Sequence, residues 1–258
     1  VAREAMRALA ADLLASLGLF TRLPLSWLER WAGPVDLRRS IRLWPLVGAG
    51  IGALTALIMQ MALMAGLPPL VSALLAVSVQ LVVTGALHED GLADSADGLA
   101  AGRTLARRLE IMRDSRIGSY GAAALIMALT LRTGCIAALP STHLLACLAV
   151  AGACARASVL IIAGWTPAAR QDGLAAALLP LPVGPLRLAL LTLLLLTACL
   201  LPGRVMVMSL LASMGATLVV RRIALRAMGG FTGDLLGATA VLSELAVLLV
   251  LVATYAQR

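Results

Sequence analysis

The chain has 258 residues and is 61% hydrophobic, 13% charged and 3% aromatic, with a mean hydropathy of +0.97. A soluble domain is typically about 45–50% apolar and about 25% charged, so this chain has too little charge to cover a soluble globule, and its unbroken apolar runs exclude a lipid-facing β-barrel with alternating strands. All 21 basic residues are arginine, against 13 acids, a net charge of +8; arginines placed beside apolar runs point to a membrane and not to a nucleic acid.

The pattern predicts an all-α, polytopic membrane bundle in one domain, 1–258. Residues 1–42 form a cytoplasmic or interfacial N-terminal segment with seven arginines and four acids, and no cleavable signal peptide is expected there. Within it, 6–20 is apolar but too short to span, so an interfacial or re-entrant helix is expected. A crossing helix needs about 20 apolar residues. Seven segments qualify: 43–66, 67–87, 119–138, 142–163, 183–201, 205–220 and 235–254. Breakers at Leu67-Pro68-Pro69 and Leu201-Pro202-Gly203-Arg204 separate neighbouring spans.

With the N-terminus inside, segments 1–42, 88–118, 164–182 and 221–234 carry 16 arginines and the outer segments carry two. That split is a strong positive-inside signal and places the chemistry on the cytoplasmic face of a bacterial inner membrane. Trp27, Trp31, Trp44 and Trp165 then fall near the cytoplasmic interface. Cys135, Cys147, Cys154 and Cys199 lie inside apolar segments and read as reduced core thiols.

Six of the 13 acids fall between residues 89 and 114. On a helix, Asp90, Asp94 and Asp97 of His88-Glu89-Asp90-Gly91-Leu92-Ala93-Asp94-Ser95-Ala96-Asp97-Gly98 lie at about 0°, 40° and −20°, on one face. Three carboxylates on one face repel each other unless a cation neutralises them, and oxygen-only donors suit Mg²⁺, whose other positions go to water and substrate phosphates. Gly91 and Gly98 would let a ligand approach the backbone. In Arg113-Asp114-Ser115-Arg116-Ile117-Gly118 the arginines suit phosphate, and Gly118 and Gly121 would offer backbone N–H groups to an anion. Together these segments describe a magnesium-dependent pyrophosphate site, with a solvated acidic loop and ordinary cytoplasmic arginines as the bland alternative. Gly229-Gly230-Phe231-Thr232-Gly233-Asp234 and Ala169-Arg170-Gln171-Asp172-Gly173 read either as site loops or as turns and caps. Arg156 and Glu244 are costly inside spans and so are functional candidates; snorkelling is the alternative for Arg156. Arg132 is expected to be structural, and His143 has no expected role.

The stretch 88–98 followed by Leu109-Glu110-Ile111-Met112-Arg113-Asp114-Ser115-Arg116-Ile117-Gly118 resembles the cobalamin synthase family, the adenosylcobinamide-GDP ribazoletransferases. Phe20-Thr21-Arg22-Leu23-Pro24, Trp44-Pro45-Leu46-Val47-Gly48, and Gly229-Gly230 with Thr232-Gly233-Asp234 and Leu236-Gly237-Ala238 are similar to its other segments, so the resemblance covers nearly the whole chain. It implies transfer of adenosylcobinamide phosphate from adenosylcobinamide-GDP to α-ribazole or its 5′-phosphate, with release of GMP. It also implies Asp90, Asp94 and Asp97 as Mg²⁺ ligands, Asp114 as a further ligand or the base, and His88, Arg113, Ser115, Arg116, Gly118, Arg156, Thr232 and Asp234 at the substrate. Membrane lipid is an expected partner, nucleic acid is not, and a homo-oligomer stays open. The chain departs from the family pattern at Glu89, where an apolar residue is usual and which is expected to face water. It departs again at Val241, where a second acid commonly precedes Glu244. The alternative is a lipid-forming CDP-alcohol phosphotransferase; Asp94-x-x-Asp97-Gly98-x-x-Ala101 fits its motif, but Gly102 precedes Arg103 and Met112 stands where glycine is required. A transporter is a weaker alternative, because only Glu244 sits in mid-span.

Overall fold

The computed structural model describes residues 2–25, 27–28, 35–170 and 173–255. The expected positions Trp31 and Asp172 lie outside them. The described residues are helical, with one isolated parallel bridge between Ala168 and Phe231. The helices are α1 (Ala2–Phe20), α2 (Leu37–Ser40), α3 (Trp44–Met64), α4 (Pro69–Thr84), α5 (Leu87–Ala101), α6 (Leu105–Met112), α7 (Ser119–Ala138), α8 (Leu144–Trp165), α9 (Leu174–Ala177), α10 (Val183–Leu200), α11 (Gly203–Met228) and α12 (Gly233–Tyr255).

Residues 37–64 and helices α7, α8, α10, α11 and α12 are each long and apolar enough to cross a membrane. The chain is a multi-pass membrane protein. The expected span 67–87 differs. It ends at Thr84 after 16 helical residues, and α5 leaves α4 at 89°. Two successive left-handed residues, Gly85 at φ +63° and Ala86 at φ +53°, make the corner. Arg22 holds it from outside: its N–H donates to Val83 O at 2.7 Å, and its side chain covers Gly85. The expected span 205–220 is longer than its apolar run, because α11 continues to Met228 and ends on left-handed Gly229.

α8 is the central helix, with nearly every side chain buried from Leu144 to Ala163. It packs against α3 where both helices carry glycine. A Cβ on Gly48 or on Gly152 would run into the other residue's backbone carbonyl, and one on Gly52 would strike Leu148 O. Close backbone approach through small residues replaces the hydrophobic drive that lipid removes. α1 is tied to the segment before α3 by a buried charge: Asp12 accepts from Arg39 Nε at 2.8 Å and meets Arg42 Nη2 at 2.6 Å.

Two placements correct the sequence expectations. Trp44 is 2% exposed and packs edge-on against Phe20, with ring centroids 4.9 Å apart; its ring lies inside the fold and not on the outer surface. Cys135, Cys147 and Cys154 are buried as expected, but Cys199 is exposed.

A methyl group at the α3–α8 crossing forces the helices apart. Gly152→Ala is expected to destabilise the protein by roughly 1–3 kcal/mol through overpacking, read as a lowered thermal midpoint in detergent; an unchanged midpoint would contradict this packing.

Candidate active site

The segment 88–118, expected to be a loop, is two helices. α5 runs antiparallel to α7, from Glu89 beside Arg132 to Asp97 beside Gly118 and Gly121. It also crosses α12 closely: a Cβ on Gly91 would lie 2.7 Å from Asp234 O, and one on Gly237 would lie 3.2 Å from His88 Cα. Gly91 is therefore filled by a neighbouring helix, not left open for a ligand. Gly98 is likewise covered, by Met112 and Arg108.

The four acids of α5 have two different fates. Asp97 is 8% exposed, and its carboxylate accepts from Gly118 N at 2.7 Å and Gly121 N at 2.9 Å. It caps the first turn of α7, where free N–H groups and the helix dipole favour an anion. Gly118 and Gly121 do present amides to an anion as their pattern suggested, and the protein itself supplies that anion. Glu89 does not face water. It is 7% exposed and lies 2.6 Å from Arg132 Nη1. Arg132 Nη2 lies 3.3 Å from Glu244, which also accepts from Gln80 Nε2 at 3.3 Å. Val241 sits in a small buried cluster with Leu92, Ala128, Ala238 and Leu245.

Asp90 and Asp94 have neither engagement. Asp90 and Asp234 line a cavity of about 270 Å³ together with His88, Phe20, Trp44, Arg170, Gly173 and Leu178. Asp94 lies one turn before Asp97, level with the first turns of α7 and α12. Its carboxyl is pushed up to about 6, first by burial and then by the negative charges of Asp90, Asp234 and Asp97. Asp234 Oδ2 is buried without a hydrogen-bond partner among the described residues. The structure thus groups Asp90, Asp94 and Asp234, where the sequence grouped Asp90, Asp94 and Asp97.

Loop geometry delivers Asp234 and Arg170 to this place. Phe231 N donates to Pro167 O at 2.9 Å and Ala169 N donates to Phe231 O at 2.8 Å. That pairing needs Gly230, whose Cβ would collide with the 167–169 backbone. Thr232 is 1% exposed and its Oγ1 accepts from Leu235 N at 3.3 Å, so it caps the start of α12. Arg170 is an attractive charge on Asp234. The turn reading of both loops holds, and the turns bring Arg170 and Asp234 to one cavity.

Arg156 is buried in α8, and its guanidinium carbon lies 5.6 Å from the centre of the Phe20 ring. It does not snorkel. Its Nε and Nη1 have no hydrogen-bond partner among the described residues, an uncommon state for buried donors. Phe20 also meets His88, with centroids 5.7 Å apart. Arg113, Asp114, Ser115 and Arg116 lie in the connection between α6 and α7 and do not line the cavity. Asp114 is clasped by Arg116 through Nε at 3.0 Å and Nη2 at 2.6 Å, and these hydrogen bonds hold its carboxyl down, at about 2. Phe20 and Trp44 are among the lining residues that sequence spacing did not single out as a site. Arg170, a lone cation between two turns, carried a local signal.

No group of three or more His, Cys, Asp or Glu side chains among the described residues is close enough to enclose a metal ion. The donors still suit Mg²⁺ in kind. Asp90 and Asp234 face one cavity, Asp234 has an unpartnered oxygen, and Asp94 is repelled by both. Magnesium commonly takes only one or two carboxylates and completes its shell with water and substrate phosphates.

Asp97→Ala leaves two amides at the start of α7 uncapped and is expected to cost about 0.5–2 kcal/mol, measured by thermal unfolding. Asp94 gives a pH effect of known sign in protein freed of divalent cations. Its pKa lies above the ordinary 3.8, at about 6. The folded state therefore holds a proton that the unfolded chain releases. This contribution to stability is complete below pH 3.8 and is lost as the pH rises through about 6. The thermal midpoint of wild type should fall across that window relative to Asp94→Asn; parallel profiles would refute the assignment.

The cobalamin-5-phosphate synthase family model matches residues 12–252. Adenosylcobinamide-GDP ribazoletransferase of Bradyrhizobium diazoefficiens is 41% identical, over 96% of this chain and 95% of its own length. The enzyme of the same name from Azorhizobium caulinodans is 43% identical, over 93% and 94%, and that of Xanthobacter autotrophicus is 40% identical, over 90% and 91%. No solved structure gives a significant match. With a match that spans nearly its whole length, the chain belongs to the cobalamin-5-phosphate synthase family.

Proposed function

We propose that this protein transfers the adenosylcobinamide phosphate group from adenosylcobinamide-GDP to α-ribazole or its 5′-phosphate, releasing GMP, in the late assembly of coenzyme B12. The observation that carries this reading is the cavity where Asp90 and Asp234 converge with Arg170 at the start of α12. Acids and a cation around one opening suit a pyrophosphate with its counter-ion better than either a lipid or a transported ion. The relatives' names supply the substrates.

In this reading the ribose 3′ hydroxyl of the acceptor forms a bond to the phosphorus on the corrinoid arm. The bond from that phosphorus to the bridging oxygen breaks, and GMP leaves with the electron pair. Asp90 and Asp234 would hold Mg²⁺, which when bound offsets the charge of the pyrophosphate. Arg170 and the backbone N–H groups at the start of α12 bind phosphate oxygens, as helix N-termini do. A carboxylate near the acceptor takes the hydroxyl proton. Asp94, half-buried beside Asp90 and Asp234 and pushed up by burial, suits that task. Asp114, held at about 2 by Arg116, does not. Asp97 and Thr232 serve by capping α7 and α12, and His88 and Phe20 form the wall toward Arg156. The arginine distribution supports an opening on the cytoplasmic side of a bacterial inner membrane.

The test uses full-length protein in vesicles with adenosylcobinamide-GDP, α-ribazole and Mg²⁺, following GMP. Wild type should release GMP only with the acceptor present, and EDTA should stop it. Asp90→Ala, Asp94→Ala and Asp234→Ala should each lower turnover by roughly a hundredfold or more, the scale expected when a metal or general-base contact is lost. Near-normal turnover in Asp94→Ala and Asp234→Ala would sink the assignment. CMP formation from a CDP-lipid and an alcohol would favour the lipid phosphotransferase instead.

A further inference from the structure

Four formal charges lie buried together behind the cavity. Arg132 and Glu89 have side chains 1% and 10% exposed, and Glu244 is 9% exposed. Arg156 on α8 is within electrostatic reach of both carboxylates. Two cations and two anions make the set neutral, and Gln80 of α4 adds a hydrogen bond to Glu244. The group links α4, α5, α7 and α12, with α8 alongside.

Stability alone gives a poor reason to keep it. Exchanging a buried ion pair for well-packed apolar side chains is often neutral or stabilising, whereas removing one partner is strongly destabilising. What such a pair fixes is geometry. α5 needs this more than its neighbours. It enters across the 89° corner, its N-cap is left-handed Ala86 with no side-chain hydrogen bond, and it meets α12 through glycines, which offer few ridges to set its rotation.

Glu89 and Asp97 both anchor α5 to α7, one through Arg132 and the other through the amides of Gly118 and Gly121. They are eight residues apart, so about 80° apart around the helix, while Asp90 and Asp94 lie about 100° and 140° from Glu89. With both anchors made, Asp90 lies about 20° and Asp94 about 60° beyond Asp97, on the flank of α5 next to its α7 face, and Asp90 meets the cavity that Asp234 also lines. A rotation of α5 would move all four acids at once.

We propose that Glu89 and Arg132 are positioning residues for the transfer reaction. They hold α5 in the rotation that aims Asp90 at the cavity and sets Asp94 one turn further along the helix, and Glu244 holds Arg132 in turn. The catalytic side of this inference rests on the transferase reading above. The contact between helices does not.

The experiment compares wild type with Glu89→Gln, Glu89→Asp, Arg132→Gln and the double variant Glu89→Gln/Arg132→Gln, all full length in vesicles. It reads the kcat and KM of GMP release, the thermal midpoint and amide exchange. Glu89→Gln is expected to speed exchange over 87–101 and leave that over 144–165 unchanged. It should lower kcat roughly tenfold to a hundredfold, the scale of a small misplacement of reacting groups, with KM for adenosylcobinamide-GDP little changed. Glu89→Asp should regain part of kcat. The double variant should recover the midpoint lost in Arg132→Gln without recovering kcat, because it restores neutrality and not the anchor.

A kcat that recovers together with the midpoint in the double variant would show a merely structural pair and overturn the proposal. So would a Glu89→Gln protein with wild-type kcat and unchanged exchange over 87–101. If Glu89→Gln does not fold, the double variant compared with wild type decides by the same criteria. If wild type itself releases no GMP, the transferase reading fails, and the exchange pattern alone then decides whether the pair positions α5.

Discussion

A charge carried into an apolar interior has to find its partner within that interior, because no water can solvate it there. Arg132 sits well inside α7 and meets this constraint with carboxylates from two other helices, Glu89 at 2.6 Å and Glu244 at 3.3 Å. Few other contacts in the bundle are as directional. Apolar packing between helices tolerates sliding, and glycine contacts such as Gly91 against α12 allow rotation. The Glu89–Arg132 pair therefore fixes one end of α5, the helix that also carries Asp90 at the cavity.

The same economy of polar groups recurs at helix ends. Asp97 meets the free amides of α7, Thr232 caps α12, and Asp12 joins two arginines below α1. Each is a polar group that the fold has placed where another polar group lacked a partner. The exceptions are then informative. Asp234 Oδ2, Arg156 Nε and Trp44 Nε1 are buried with no partner among the described residues. Asp234 and Trp44 line the cavity, and Arg156 lies behind Phe20 on its wall. Other unpartnered atoms, among them Ser95 Oγ, Thr166 Oγ1 and Ser209 Oγ, lie away from the cavity lining; Asp234 Oδ2 and Trp44 Nε1 are the ones that a polar ligand in the cavity could satisfy.

Much of this was readable along the chain. The spans 119–138 and 183–201 match α7 and α10 within one residue because apolar length and flanking breakers are local properties. The acidic face of 88–98 was readable as a helix because its spacing is local too. The partners of those acids were not. A wheel puts Asp90, Asp94 and Asp97 together, but whether a carboxylate meets a cation, an amide or open space depends on the helix beside it. Glu89 was expected to face water; its partner Arg132 lies 43 residues away, where no local spacing shows it. The corner at Ala86 was equally hidden, since a left-handed alanine is set by the elements it joins and not by its own preference.

The amino-acid sequence by itself determined that this is a multi-span helical protein of the cobalamin-5-phosphate synthase family, with its acids concentrated between two spans. Those properties follow from residue type and spacing, which water, lipid and the helical repeat read directly. Only the tertiary structure decided what each acid meets: Asp97 the amides at the start of α7, Glu89 the guanidinium of Arg132, and Asp90 and Asp234 one cavity. The reason is electrostatic. In a low-dielectric bundle a carboxylate's role is fixed by the nearest groups in space, and those come from helices far away along the chain.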